Sequence, residues 1–169
     1  TYPIVEAFEV EEEEEYLEGV EKLIRDLAHS DHAKVNAALI ALYNLDLKQK
    51  YDTVTAWGGC AALVHLLKDR LETAMQKIPQ CDQVTMVNEL PELETIEMTL
   101  FVIIEMTYSF SEMGSFGMVA VGGVAAVVKA MRTFPKCQSL QRCLCLALGS
   151  LVRVGNNGTG KKQVIELGG

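Results

Sequence analysis

The stretch GGVAAVV at residues 122–128 decides the reading of the fold, because GGCAALV at residues 58–64 follows the same plan. A glycine pair opens each, and apolar residues follow at helical spacing. The pattern extends in both directions along the chain. Glu18-Gly19-Val20-Glu21-Lys22-Leu23-Ile24 lies upstream, and Gly168-Gly169 stands at the end. Two of the three intervals between the anchors Gly19, Gly59, Gly123 and Gly169 fall in the range of roughly 40 to 47 residues used by helical repeat proteins. The interval from Gly59 to Gly123 is longer, and an insertion from Asp69 to Glu92 accounts for the excess.

Each glycine leads into an amphipathic pattern, with Val20, Leu23, Ile24 and Leu27 in the first case and Leu63, Leu66, Leu67, Leu71 and Ala74 in the second. A second helix follows each of these. Its apolar faces are Val35, Ala38, Leu39, Leu42 and Leu45, then Ile96, Leu100, Ile103 and Ile104, then Leu140, Leu144, Ala147, Leu148 and Leu151. Ser30 or Asp31 suits the N-cap of the first, and Pro91 suits the opening turn of the second, where no amide donor is needed. Pro135 interrupts the chain before the third. The short apolar segments TVTAW, FGMVAV and KQVIEL precede the later glycine pairs, which permit a left-handed residue where the chain turns.

Short helix, glycine, helix and longer helix is a plan that resembles the armadillo repeat family. Ala38-Leu39-Ile40-Ala41-Leu42-Tyr43-Asn44-Leu45 is similar to that family's third-helix signature A-L-W-A-L-S-N-I, and KQVIELGG is similar to the end of its first helix. The resemblance implies an all-α fold, a right-handed superhelical solenoid of armadillo-like repeats. An acidic arm at 1–15 precedes an array at 16–169. Repeat one spans about 16–50, repeat two 51–111 with the insertion 69–92, repeat three 112–155, and a fourth begins at 156–169.

In that family, stacked third helices line a concave groove for extended peptides, and an asparagine near each helix end pairs with the ligand backbone. The resemblance carries that role to Asn44, with Ser150 in the matching slot of the third repeat and Glu105 or Met106 in the second, according to register. The family's tryptophan slot holds Ile40 and Leu146, with Phe101 between them. Most of the asparagine and tryptophan ladder is therefore absent. What the resemblance implies is a general protein-binding groove at Asn44, Ser150, Ile40, Phe101 and Leu146, rather than a reader of import signals.

Charge and composition narrow the partners. The net charge of −8 belongs to residues 1–18, which carry eight glutamates and no base, whereas the remaining acids match the 15 lysines and arginines. No basic stripe is present to displace counterions from phosphates, so nucleic acid is not an expected partner. The glutamate run reads as a solvated arm entering a helix N-terminus. The longest uncharged apolar stretch, 113–128, is too short for a membrane span and is interrupted by glycines. Five cysteines without a C-x-x-C pair suit reduced thiols in the cytoplasm or nucleus. The acidic start, unlike a targeting signal, and the arrest at Gly168-Gly169 suggest a piece of a longer chain. Its uncapped C-terminal edge would be a surface for self-association.

Catalytic candidates are few. From Gly155 the chain reads G-x-x-x-x-G-K-K, a P-loop with Lys162 where serine or threonine should bind magnesium. Leucines at helical spacing precede it in place of a strand, so a loop between helices is expected and no nucleotide cofactor. His29 and His32 flank Asp31 without a closed set of metal ligands, and His65 lies on a helix face. Cys143 and Cys145 point in different directions. No cofactor or metal is expected. The expected function is a noncatalytic scaffold that binds a protein or extended peptide through the concave face, the insertion or the arm. The alternative is a regulatory or targeting module of a larger enzyme.

Overall fold

The computed structural model describes residues 16–45, 48–77, 90–108, 112–153 and 158–168, which are all-helical with no strand among them. The acidic arm, the loop portion of the insertion with Cys81, residues 154–157 of the P-loop-like stretch and Gly169 lie outside the described residues.

Helix α1 covers residues 16–26 and α2 runs His32–Tyr43. Asp31 is the cap of α2, its carboxylate accepting from the Ala33 amide at 2.9 Å. Helix α3 is Lys48–Ala56 and α4 is Gly59–Lys77, so the helix following the glycine pair runs well into the insertion. Helix α5, Pro91–Tyr108, opens on its proline, and Glu92 and Glu94 place negative charge at its positive N-terminal end. Then come α6 (Glu112–Ala120), α7 (Gly123–Thr133), α8 (Gln138–Arg153) and α9 (Thr159–Glu166). The apolar stretch 113–128 is divided between α6 and α7, whose segments Gly114–Ala120 and Gly123–Thr133 meet at 67°. No single helix among the described residues is long and apolar enough to cross a membrane.

The paired glycines answer two separate demands. Gly58 and Gly122 take φ of +84° and +85°, the left-handed conformation that turns α3 into α4 and α6 into α7. Gly59 and Gly123 allow close packing instead, since a Cβ on either would stand 2.7 Å from the carbonyl oxygen of Val54 or Met118. The first anchor departs from this plan. Gly19 lies inside α1 and does not have a positive φ, so no turn occurs there.

Helix α5 sits at the middle of the packing, touching α2, α4, α6 and α8. Helix α8 in turn packs against α6, α7 and α9, while α3 lies on α4 and α6. The core follows these contacts, with Leu39 and Leu42 from α2, Ile96, Leu100 and Ile103 from α5, and Leu140 and Leu144 from α8 fully buried. Removing each such side chain from water is worth about 1.5–3 kcal/mol. Leu23, Ile24, Leu45, Ile104 and Leu148 are half-buried at the margin of this core.

Candidate functional site

Four side-chain contacts fix how α2, α5 and α8 lie against one another. His32 stands 3.9 Å from Glu92, and Thr95 donates to Asn36 at 2.9 Å. The next interface has Ser139 donating to Glu97 at 2.8 Å and Thr107 donating to Ser150 at 2.7 Å. Within each interface the offset between partners is nearly constant, which means that the three helices run parallel. Asn36 opposite Thr95 sets Ile40 opposite Thr99, and Thr107 opposite Ser150 sets Phe101 opposite Leu144.

One stripe on each helix remains outside these interfaces. Ile40 is 49% exposed, Phe101 39% and Leu146 49%, and neighbouring members of the series are displaced by two residues in the same direction, about 3 Å per step. The three side chains form a diagonal row across the helices. Leaving large apolar groups in water forgoes burial energy, so an aligned row of them is more informative than scattered exposure. Tyr43 and Tyr108 are also exposed, and the Arg153 guanidinium sits 4.6 Å from the centroid of the Tyr108 ring.

Asn44 is exposed at the C-terminal end of α2, where its backbone N–H donates to the Ile40 carbonyl at 3.0 Å and that of Leu45 donates to the Leu42 carbonyl at 3.2 Å. Ser150 departs from the expected surface position. It is 2% exposed, and its hydroxyl accepts from Thr107 while donating to the Ala147 carbonyl at 2.8 Å. The hydroxyl thus joins α5 to α8. Of the two residues expected in the matching slot of the second repeat, Met106 is buried and Glu105 lies at the half-exposed margin. Tyr108 and Arg153 were not singled out from sequence, although Tyr108 follows Phe101 by seven residues and Arg153 follows Leu146 by seven, so each returns to the same face.

A buried polar cluster lies where α2, α4 and α5 meet. Glu92 is fully buried and accepts from Lys77 Nζ at 2.5 Å, while Arg70 lies 3.1 Å from His32 Nε2 and donates to the His29 carbonyl at 3.4 Å. Burial pushes the Glu92 carboxyl up. The hydrogen bond from Lys77, the Glu92 backbone amide and the charges of Lys77 and His32 outweigh it, holding the carboxyl below its ordinary value. The cluster has a sequence signal, since Arg70 falls on the buried stripe of Leu63, Leu67, Leu71 and Ala74. Its contacts serve to join helices.

Other candidates are dispersed. His29 Nδ1 accepts from the Asp31 amide at 3.0 Å, and His65 is exposed. Among the described residues no group of three or more His, Cys, Asp or Glu is arranged to hold a metal ion. Cys60, Cys137 and Cys143 are buried free thiols and Cys145 is exposed. Burial pushes the Cys60 and Cys143 thiols up. A helix, α8, precedes the G-x-x-x-x-G-K-K stretch, and Lys161 and Lys162 are exposed on α9. The chain matches no family model and no curated protein.

Proposed function

We propose that the chain is an armadillo-like, right-handed superhelical solenoid that acts as a noncatalytic protein-interaction scaffold. It binds a partner protein or extended peptide along a concave face formed by α2, α5 and α8. The observation that carries this reading is the row of Ile40, Phe101 and Leu146, corresponding side chains on three parallel helices, each left 39–49% exposed. Asn44 borders the row and is available to a ligand backbone, whereas Ser150 supports the surface from beneath. The buried free thiols are compatible with a reducing compartment, cytoplasmic or nuclear.

A pull-down from native lysate, comparing the full chain with an Ile40→Arg/Leu146→Arg variant, tests this function. Both positions are exposed, so the variant should melt with the wild type. Loss of specific partners supports the groove; retention of the same partners at equal stability refutes it.

A further inference from the structure

We infer that the groove selects a mixed-charge segment, with a basic residue over α5 and an acidic residue over α8, and does not select a uniformly basic one. This inference rests on the groove reading above. Its basis is the charge placed around each apolar side chain of the row. On α5, Phe101 stands between Glu94, seven residues earlier, and Glu105, four residues later. On α8, Leu146 stands between Arg142, four earlier, and Arg153, seven later. Residues at these separations share one helical face. Ile40 on α2 has the uncharged neighbours Ala37 and Asn44 on its stripe. Across the three helices the flanks therefore run neutral, acidic, basic.

Among the described residues these charges are not used up. Glu94, Glu105 and Arg142 form no ion pair or hydrogen bond with another side chain among the described residues, and Arg153 stacks on Tyr108 without a carboxylate partner. Glu97, the remaining acid near this stripe, is held by Ser139. An arginine stacked on an aromatic ring keeps the N–H groups at its edge for a carboxylate. Its guanidinium is already positioned, which lowers the ordering cost of binding one.

Neighbouring helices pack about 8–10 Å apart, and an extended chain advances about 3.3 Å per residue. The basic and acidic residues of the ligand thus stand about three positions apart, and the whole row is spanned by roughly six or seven residues. Apolar side chains of the ligand lie against Ile40, Phe101 and Leu146. The electrostatic pattern sets which residue lies over which helix, a matter of register more than of raw affinity.

The test uses fluorescein-labelled ten-residue peptides of leucine, serine, lysine and glutamate, read by fluorescence anisotropy on the full chain. Two peptides carry lysine and glutamate three positions apart, in the two orders, and two controls carry lysine at both positions or glutamate at both. One mixed-charge order should bind about tenfold more tightly than either control, the combined effect of several partly exposed pairs worth a few-fold each. An Arg142→Glu/Arg153→Glu variant should reverse the ranking and favour the two-lysine peptide. A wild type that prefers the two-lysine peptide, an unchanged ranking in the charge-reversed variant, or no binding by any peptide at about 1 mM overturns the inference. Leu146→Arg separates the two readings. If it abolishes all peptide binding while charge reversal leaves the ranking alone, the groove stands and the charge selection falls. If binding survives Leu146→Arg, the groove reading falls as well.

Discussion

Glu92 has no exposure to solvent, yet its carboxyl is held below its ordinary value by the surroundings of one helix terminus. A folded-state pKa below the unfolded one contributes stability above the unfolded value, and that contribution disappears as pH falls through the folded value. Lys77 supplies the shortest contact, but its side chain is 45% exposed. Replacing it by methionine keeps much of the apolar stem and removes the charge. Lys77→Met should cost about 2 kcal/mol at pH 7, less than the 3–5 typical when a fully buried pair is broken, because the lysine is partly solvated. The variant's Glu92 loses both the hydrogen bond and the charge of Lys77, so its carboxyl rises from the wild-type value, with the backbone amide and His32 left to oppose burial. The deficit should therefore shrink as pH falls through the ordinary carboxylate range, because the variant's Glu92 takes up its proton before the wild type's does. Denaturant unfolding at pH 7 and pH 3 reads this directly. Equal deficits at the two values would show that the lysine stem, and not its charge, carries the effect.

At the scale of the element, α5 turns consecutive residues to opposite purposes. Leu100 is fully buried among the helices that surround α5, and Phe101 faces outward. Leu100→Ala should destabilise by about 2–5 kcal/mol through lost burial and a residual cavity. Phe101→Ala should cost less than about 1 kcal/mol of stability, as expected for a surface change, while weakening ligand binding. Thermal melts paired with peptide anisotropy measure both; a large stability loss at Phe101 would assign it to the core. The periodicity that separates these two residues is legible in sequence, as are Pro91 at the helix start and the outward row of Ile40, Phe101 and Leu146. The choice between Glu105 and Met106 is not, because an insertion of indefinite register precedes the helix. Ser150 was also opaque, since its burial depends on Thr107, a residue of another helix. The cluster of Arg70, Glu92 and His32 requires three helices to approach, and a one-dimensional pattern shows only that Arg70 is out of place on an apolar stripe. Gly19 shows the converse, a shared sequence landmark with a different backbone conformation.

For the whole molecule, the packing order bears on how the chain comes apart. Helix α5 contacts four described helices, whereas α9 contacts α7 and α8, with the Arg132 guanidinium donating to the Leu167 carbonyl and Ile165 left 73% exposed. In a linear array, stability is a sum of unit and neighbour terms, so damage at one end need not reach the middle. Gly160 offers a clean place to apply that damage, because a Cβ there would lie 2.7 Å from the Leu151 carbonyl oxygen, a backbone atom with little freedom to retreat. Gly160→Ala should raise hydrogen exchange of the α9 amides by about tenfold or more, corresponding to roughly 1.4 kcal/mol of local opening. Protection in α5 should stay within about twofold of wild type, because exchange there reports opening of the centre. Residue-resolved exchange distinguishes this from the behaviour of one fully cooperative globule. If Gly160→Ala lowers protection in α5 as much as in α9, the chain opens as a unit, and the proposal of a neighbour-by-neighbour stack fails.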